Sequence, residues 1–530
     1  MKAIDLYDGI TDLPEEMVEA AETHRFRKRK TWIRFAAMAA AFALVIGLGF
    51  LAAGQLRKPA QNQIPAERQT PTRYQRPYHE WTSMIGGDGG SGGGENGDTY
   101  MAYFGPVMPL TATVGAENVT AVRWVDYDFS PYLEYHPQAI VTDSYTLKNT
   151  ADRDVTLSLL YPVPLTVEGA ANGRSPYITV GGREQKTVIY AGPCTGSLEN
   201  YVDETHNPFL EKANLDADEA SWEAYVAHLA DGSYQASAFA AAPNLKVPVI
   251  VYKVDDYVLG PDYDGECPTL QISFSVDYEK TSVMTYGVEA WSSDRENGVY
   301  ACARGSLDWD ETAFPRKPMY IVLYGEDPER YTLQGYKNMG CEPGNETDIT
   351  ATVTRYETTM EEFLRQIVDE HLSAPENGWT DAPEMPEREF MYRLAGELLL
   401  QYGFLSRDNH DDDTLGGSLE QVFQAFTKGR VLYYAFDVTI PAEESVEVAA
   451  IMRKDGNKNF AGAQQSTNGY DLATRLGSTL RFTEQQASVS HAESVVILDN
   501  NFGFEQDVSS AKFTLDPAEE HYWMNVAGRS

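Results

Sequence analysis

The stretch Leu270–Tyr278, LQISFSVDY, places an apolar side chain at every second position. Successive side chains of a β-strand point to opposite faces, so this spacing gathers the apolar residues on one face. The residues on that face are Leu270, Ile272, Phe274, Val276 and Tyr278. Val155–Tyr161, VTLSLLY, has the same spacing. Both stretches predict strands with one face in a hydrophobic core and the other towards solvent.

Further runs of β-branched and aromatic residues occur at VPVIVY, MYIVLY, ITATVTR, VLYYAFDVTI, VEVAAIM, SVVIL and AKFTL. Turn residues such as Gly181-Gly182 and Asp455-Gly456 separate some of these runs. Many short alternating strands without regular intervening helices favour antiparallel, sandwich-like packing. The predicted fold class is therefore β-rich α+β, with exported β-sandwich-like domains.

Three helical insertions interrupt the strand pattern. The first lies near 214–231 and can end at Gly232, the second begins at the capping box Thr358-x-x-Glu361, and the third can end at Gly403. These positions divide the exported chain into a β-rich region at 99–355, a helical region at 356–428 and a C-terminal β domain at 429–530. Each apolar helix stripe is interpreted as a face packed on a sheet.

A single uncharged segment, Phe35–Gly54, precedes the exported part. Its twenty residues comprise nine Phe, Leu, Val, Ile or Met, eight Ala and three Gly. At about 1.5 Å per helical residue it spans roughly 30 Å, the thickness of a bilayer's hydrocarbon core. We predict one transmembrane helix. A cleaved signal peptide and a buried core helix are the alternatives.

Basic residues flank this segment unequally. Six Lys or Arg lie between Arg25 and Arg34, whereas only Arg57, Lys58 and Arg68 follow within fifteen residues. The positive-inside rule therefore places a leader, 1–34, in the cytoplasm and the large C-terminal part outside the cell. The predicted localisation is the cell membrane, with a single pass.

Residues 55–98 form a predicted flexible tether. They include GGDGGSGGGENG at Gly86–Gly97, which holds eight glycines in twelve residues. The chain carries a formal net charge of −37, almost all of it after the predicted helix. Negative charge of this size repels phosphate groups, so we expect no nucleic acid partner.

One acidic turn, NHDDDTLGGSLE, has the ligand spacing of a calcium loop. Asn409, Asp411, Asp413 and Glu420 occupy its first, third, fifth and twelfth positions. The loop lacks the glycine that normally makes its sharp turn, because Thr414 stands there. A solvated turn is the alternative interpretation, and no other cofactor is indicated.

The chain has four cysteines, all after the predicted membrane helix: Cys194, Cys267, Cys302 and Cys341. Their wide spacing matches no zinc motif, whereas an oxidising exterior permits a disulfide among them. The sequence shows neither an HExxH motif nor a phosphate-binding loop, and its nine His are scattered. No catalytic residue is predicted, and a non-enzymatic role is favoured.

The stretches DLYDGITDLPEEMVEAA and WIRFAAMAAAFALVIG resemble the N-terminus of uncharacterised single-pass membrane proteins from Gram-positive, clostridia-like bacteria. YTLQGYKNMGCEPG and LDPAEEHYWMNV are similar to the same group. Some of its members resemble anti-sigma or sigma-factor-associated signal proteins. The resemblance implies a membrane-anchored protein that could contact a cytoplasmic regulator through residues 1–24.

The sequence thus predicts a membrane-anchored extracytoplasmic binding or signalling protein with an unidentified extracellular ligand. Its partners would be the lipid bilayer, contacted through one helix, and a cytoplasmic regulator, contacted through residues 1–24 in an anti-sigma-like role. The alternatives are a cell-surface enzyme acting on wall glycan or peptide, and a structural envelope protein.

Overall fold

The computed structural model describes residues 101–133, 137–194, 222–261, 263, 267–305, 307, 317–328, 330–374, 377–405, 417–459 and 467–529. All of them belong to one compact unit, Gly94–Ser530. The predicted leader, transmembrane helix Phe35–Gly54 and tether lie outside the described residues. Within the described ranges, no helix is long and apolar enough to cross a membrane.

Strands dominate this unit. The first are β1 Met101–Ala102, β2 Thr111–Val114, β3 Val119–Asp128, β4 Gln138–Asn149, β5 Val155–Leu165, β6 Tyr177–Val180, β7 Arg183–Glu184, β8 Val188–Ala191, β9 Pro248–Leu259, β10 Thr269–Ser275, β11 Ser282–Tyr286, β12 Ala290–Asp294 and β13 Val299–Arg304. They continue with β14 Met319–Tyr324, β15 Tyr331–Tyr336, β16 Glu346–Thr347, β17 Ile349–Thr359, β18 Arg430–Ile440, β19 Ser445–Asp455, β20 Asn457–Asn459, β21 Asn468–Ala473, β22 Arg481–Ser490, β23 Val495–Asn500, β24 Ala511–Thr514 and β25 His521–Gly528. The β-rich class predicted from the sequence is confirmed.

The helices are fewer and mostly short. The α-helices are α1 Val167–Gly169, α2 Trp222–Leu229, α3 Ser233–Ser237, α4 Met360–Ser373, α5 Arg388–Gln401 and α6 Gln424–Thr427. A π-turn covers Ala170–Arg174, and 3-10 turns cover Ala116–Asn118, Trp379–Asp381, Leu419–Phe423 and Ala492–Ser494.

The strands form five sheets. Sheet I has the order β24-β22-β3-β4-β19-β6-β7, sheet II is β2-β5-β18-β8, and sheet III is β1-β20-β21-β25-β23. Sheet IV is β11-β14-β9-β17, and sheet V is β12-β13-β10-β15-β16. The pairs are antiparallel except that of β22 with β3. The inner faces of sheets I, II and III bury their apolar residues in one hydrophobic cluster.

Strands from distant parts of the chain share sheets I and II. β18 pairs with β5 from Arg430 opposite Leu165 to Ile440 opposite Val155, and β19 pairs with β4 along eleven residue positions. The predicted C-terminal β domain, 429–530, is therefore joined to the 99–355 region by strand pairing. Local alternation gives no information about which distant strand is the partner, so the sequence could not show this connection.

Sheets IV and V form a second sandwich around the stretch Leu270–Tyr278. Leu270, Ile272 and Phe274 of β10 are buried with residues of β9 and β14. The Phe274 ring meets the Tyr252 ring of sheet IV edge to face at 5.0 Å between centroids. The alternation in this stretch therefore correctly predicted which side chains enter a core.

Helix α4 covers the other face of sheet IV. The apolar stripe that the helical spacing predicts is buried, and it consists of Met360, Phe363, Leu364, Ile367, Val368 and Leu372. The Phe363 ring packs edge to face on Tyr320 at 5.5 Å. The capping box lies one residue later than predicted, because Thr359 Oγ1 accepts a hydrogen bond from the Glu362 N–H. Thr358 instead donates its hydroxyl to the Glu362 carboxylate at 2.6 Å. Helix α5 packs on α4 and reaches the end of sheet II, where Arg393 donates to the Ala191 carbonyl.

Candidate functional site

The outer face of sheet I carries an exposed aromatic residue. Along β3, Ala121, Arg123 and Val125 point inwards and are buried, whereas Trp124 between them points outwards. The Trp124 side chain is 43% exposed. Exposed tryptophans are uncommon on soluble proteins, and a large aromatic surface on a binding face supplies contact area at little entropic cost.

Hydrogen bonds hold the Trp124 ring in place. Its indole N–H donates to Ser488 Oγ at 2.8 Å, and Ser488 Oγ donates to Asp126 Oδ1 at 2.5 Å. The Ser490 hydroxyl donates to the second Asp126 oxygen at 3.1 Å. The ring is thus positioned before any ligand arrives, which lowers the entropic cost of binding.

Lys512 of β24 occupies one face of this ring. Its ammonium lies 3.6 Å from the centre of the Trp124 ring, a cation–π contact. A contact of this kind is worth about 0.5–1 kcal/mol at an exposed site. A ligand that stacks on this ring face has to displace the ammonium, which the flexible lysine stem permits.

Strand register places a second ring on the same face. Trp124 is opposite Ser144 of β4, and Ser144 is opposite Ala449 of β19. The neighbouring row crosses β3, β4, β19 and β6, and it consists of Asp126, Thr142, Ile451 and Tyr177 in that order. Residues opposite each other in a ladder share a face, so Tyr177 of β6 points outwards like Trp124.

We call this surface the platform. It consists of Trp124, Asp126, Thr142, Ser144, Ala449, Ile451, Tyr177 and Thr179. Every one of these residues is exposed or half-buried. The side chains between the two aromatic residues are no larger than isoleucine, so no bulky side chain separates the rings.

A buried ion pair lies directly beneath the platform. Arg123 donates from Nε to Asp143 Oδ1 at 2.9 Å and from Nη2 to Asp143 Oδ2 at 2.8 Å, and both side chains are fully buried. Tyr145 and Tyr161 donate their hydroxyls to Asp143 Oδ2 at 2.7 and 3.0 Å. The Arg123 guanidinium also donates to the Ala473 carbonyl at 2.6 Å. This network joins sheets I, II and III in one position.

The Arg123 guanidinium keeps its charge although it is buried. Burial is the largest single effect and lowers the pKa of Arg123, but the charge and the hydrogen bonds of Asp143, together with Tyr145 and Tyr161, outweigh it, so the pKa of Arg123 is raised. Burial, with the nearby Asp143 charge, raises the pKa of Tyr161, and burial is also the largest cause of the raised pKa of Tyr145. Both tyrosines therefore stay neutral donors. Because this network is fully enclosed, a ligand cannot reach it. Its role is to support the platform from below.

A second polar cluster lies at the end of sheet III. His521 Nε2 is 2.8 Å from Asp471 Oδ1, and the imidazole stacks on the Trp222 ring at 4.3 Å. The other Asp471 oxygen accepts a hydrogen bond from Asn457. Such an arrangement orients an imidazole, as a catalytic dyad does. No hydroxyl or thiol in the described part of the chain hydrogen-bonds to His521, so a nucleophile for that dyad is not shown.

Lys454 is buried close to that cluster. Its ammonium donates to the Phe104 carbonyl, and burial lowers the pKa of Lys454 to about 8. The carboxylates of Asp455 and Asp471 oppose this effect. Asp455 is engaged with Arg174 and accepts from Gln138 at 2.8 Å. Every polar group named here has a partner within the protein, which is typical of a structural cluster.

The predicted calcium ligands are only partly described. Asn409, Asp411 and Asp413 lie outside the described residues. Glu420 lies in the first turn of the 3-10 helix Leu419–Phe423, where its carboxylate accepts from the Gly287 N–H and from the Ser418 hydroxyl at 2.6 Å. Among the residues with defined positions, no group of three His, Cys, Asp or Glu is placed to hold a metal ion. The calcium site stays a prediction.

All four cysteines belong to the described ranges, and none of them forms a disulfide there. Cys302 is fully buried in β13, and this burial raises the pKa of its thiol. Cys194 Sγ instead accepts a hydrogen bond from the buried Arg430 guanidinium at 2.8 Å. Neither thiol is placed beside another cysteine by these contacts.

A cavity between sheet II and α2 is too small to be an alternative ligand-binding site. It is lined by residues that include Met108, Leu229 and Tyr433, and its volume is about 10 Å³. That volume holds at most one water molecule. A ligand of ordinary metabolite size cannot enter it.

Sequence reasoning missed Trp124, Tyr177 and the Arg123–Asp143 pair. In β4, Asp143 occupies an inward position of an otherwise apolar alternation, Val141, Tyr145 and Leu147 being buried. A carboxylate at such a position requires a buried partner. That requirement was the available signal for the network, whereas no local signal distinguished Trp124 from a core residue.

Comparisons with known proteins identify no family. No family model matches the chain, and no curated protein matches it. One similar solved structure is that of a candidate nutrient-binding protein from Legionella pneumophila, at 7% identity and a TM-score of 0.24. The alignment covers 80% of this chain and 70% of that one. A similarity this low supports no conclusion about function, so the function has to be argued from the site.

Proposed function

We propose that the chain is a membrane-anchored, extracytoplasmic binding protein that holds its ligand on the platform. The observation that carries the proposal is Trp124, an exposed aromatic ring held by a hydrogen bond to Ser488 on the outer face of the seven-stranded sheet. Exposed aromatic residues surrounded by polar groups are a frequent property of recognition surfaces. No side chain of the platform combines with another into a catalytic unit, which favours binding over catalysis.

The proposed location rests on the basic residues around Phe35–Gly54. With six cations before this segment and three after it, the N-terminus is cytoplasmic and the platform lies outside the cell. The tether, 55–98, then separates the platform from the bilayer. We expect a reporter that functions only outside the cell to be active when fused after Gly97 and inactive when fused before Arg25. The reverse pattern would contradict the proposed topology.

A regulatory role of the leader is part of the same proposal. Residues 1–24 are too few to bury a core of their own, so a partner would have to cover apolar side chains such as Ile4, Ile10 and Val18. The resemblance to sigma-factor-associated proteins suggests a cytoplasmic regulator as that partner. Ligand binding outside would then be linked to a contact inside the cell.

The binding function can be tested with cell walls freed of protein. We expect the full-length chain, solubilised in mild detergent, to sediment with isolated sacculi of a Gram-positive bacterium. Trp124→Ala should weaken this binding by about 2 kcal/mol, or roughly 30-fold, the loss typical of a central aromatic contact.

Trp291 provides the matched control. It is 39% exposed, similar to Trp124, and lies on β12 of sheet V. Trp291→Ala should leave sedimentation unchanged. Equal losses for the two variants, or no sedimentation of the unaltered chain, would remove the support for the platform as the binding surface.

A further inference from the structure

We propose that the platform binds a linear, uncharged glycan of at least four sugars that lies across the strands from Trp124 to Tyr177. This inference rests on the binding function proposed above and names its ligand class. Its basis is the spacing of the two rings, the chemistry of the residues between them and the charge of the surface.

The ring spacing fits an extended chain of sugars. β3, β4, β19 and β6 are successive neighbours, so Trp124 and Tyr177 are three strand spacings apart, about 14 Å at roughly 4.8 Å each. Tyr177 is also two residues along its strand from Thr179, the residue in the Trp124 row, which adds an offset of about 7 Å. The two backbone positions are therefore about 16 Å apart. The units of an extended glycan are about as long as the strand spacing of roughly 4.8 Å, so a chain needs four or more units to place one sugar on each ring.

The surface between the rings suits hydroxylated, ring-shaped ligands. Ala449 and Ile451 present small apolar areas, and Thr142 and Ser144 present hydroxyls beside them. Asp126 adds a carboxylate that accepts hydrogen bonds, although Ser488 and Ser490 already donate to it. Sugar rings have apolar faces and polar edges, so they can stack on aromatic rings while their hydroxyls bond to these groups.

The charge around the platform favours an uncharged ligand. The acidic residues on the outer face are Asp126, Asp128, Glu184, Glu447, Asp455 and Glu484, and the cations are Lys148, Arg453 and Lys512. Acidic side chains therefore outnumber cations on this face, in line with the net charge of −37 of the whole chain. An anionic polymer would meet no cationic groove here and would be repelled at longer range. A neutral glycan is not repelled in this way.

Lys512 gives this inference a distinctive test, because its ammonium has to leave the Trp124 ring before a sugar can stack there. With a neutral ligand the lost cation–π contact is not replaced. Lys512→Ala should therefore raise affinity by about two- to fivefold, the factor that corresponds to a contact of this size. With an anionic ligand the lysine would instead form an ion pair, and the same substitution would lower affinity.

The experiment titrates the full-length chain in mild detergent with β-1,4-linked oligosaccharides of N-acetylglucosamine and of glucose, from disaccharide to hexasaccharide. Affinity for at least one series should rise up to a tetrasaccharide or pentasaccharide and then level off. Tyr177→Ala should lower affinity for the hexasaccharide about tenfold and leave disaccharide affinity unchanged, since a disaccharide reaches one ring only. Thermal unfolding of each variant confirms that it is folded, and Trp291→Ala is the control for surface aromatic residues.

Two results would overturn the inference. One is the absence of saturable binding to either series while sedimentation with sacculi still depends on Trp124, which rejects the glycan class and leaves the proposed function intact. The other is glycan affinity that is independent of length, of Tyr177 and of Lys512. Failure of the proposed function itself looks different, because sedimentation with sacculi would then be absent or independent of Trp124.

Discussion

Asp143→Ala is expected to destabilise the folded chain by about 3–5 kcal/mol, the usual loss when a fully buried ion pair loses one partner. Without Asp143 the Arg123 guanidinium stays buried with only the Ala473 carbonyl as an acceptor. The Tyr145 and Tyr161 hydroxyls also lose the carboxylate oxygen to which they donate. Urea unfolding followed by tryptophan fluorescence measures the change.

An exposed ion pair is the matched control for Asp143. Glu389 accepts from Arg365 at 2.6 Å, but its side chain is 73% exposed. Glu389→Ala should therefore cost less than about 1 kcal/mol. If Asp143→Ala cost no more than Glu389→Ala, the buried network would not be what joins sheets I, II and III.

Gly325→Ala is expected to destabilise the sandwich of sheets IV and V by about 3 kcal/mol or more. Gly325 follows β14 with a φ of +137°, and a Cβ there would lie 2.0 Å from the Lys280 carbonyl oxygen. The opposing backbone cannot withdraw easily, because Thr281 and the backbone of Glu326 exchange two hydrogen bonds at 2.9 and 3.0 Å. Backbone strain and overpacking each contribute roughly 1–3 kcal/mol.

Gly344 separates these two contributions. Its φ is +95°, yet no atom lies within 4 Å of a Cβ built there. Gly344→Ala should consequently show the strain alone, about 1–2 kcal/mol. Urea unfolding of both variants gives the comparison, and equal losses would mean that the close approach at Gly325 is unimportant.

Local periodicity correctly predicted those strands and helices in which the apolar residues are the buried ones. In β10 every inward residue is apolar, so the alternation that starts at Leu270 is unambiguous. The helix at 360–373 was equally clear, and only its cap was misplaced. Adjacent threonines, Thr358 and Thr359, each have a glutamate three residues later. The sequence pattern alone could not decide between them.

In β3 the hydrophobicity of two residues does not match their burial. The strand buries Arg123 and exposes Trp124, the opposite of what hydrophobicity favours. The reason is tertiary, since Asp143 on the neighbouring strand stabilises the buried cation, and no residue near β3 in sequence reveals it. The platform was unpredictable for a related reason, because Tyr177 and Trp124 share a face only through the pairings of β4, β19 and β6. Those pairings connect segments more than 250 residues apart, such as Ala449 with Ser144.

Hydroxyl-radical footprinting tests the central claim most directly, because it measures the solvent accessibility of individual aromatic side chains. With a β-1,4-linked hexasaccharide bound to the full-length chain, oxidation of Trp124 and Tyr177 should fall several-fold. Trp291 and Tyr331, exposed by 39% and 43% on the other sandwich, should be oxidised as before. Unchanged oxidation of Trp124 and Tyr177 in the presence of bound glycan would contradict the account and place the ligand elsewhere on the molecule.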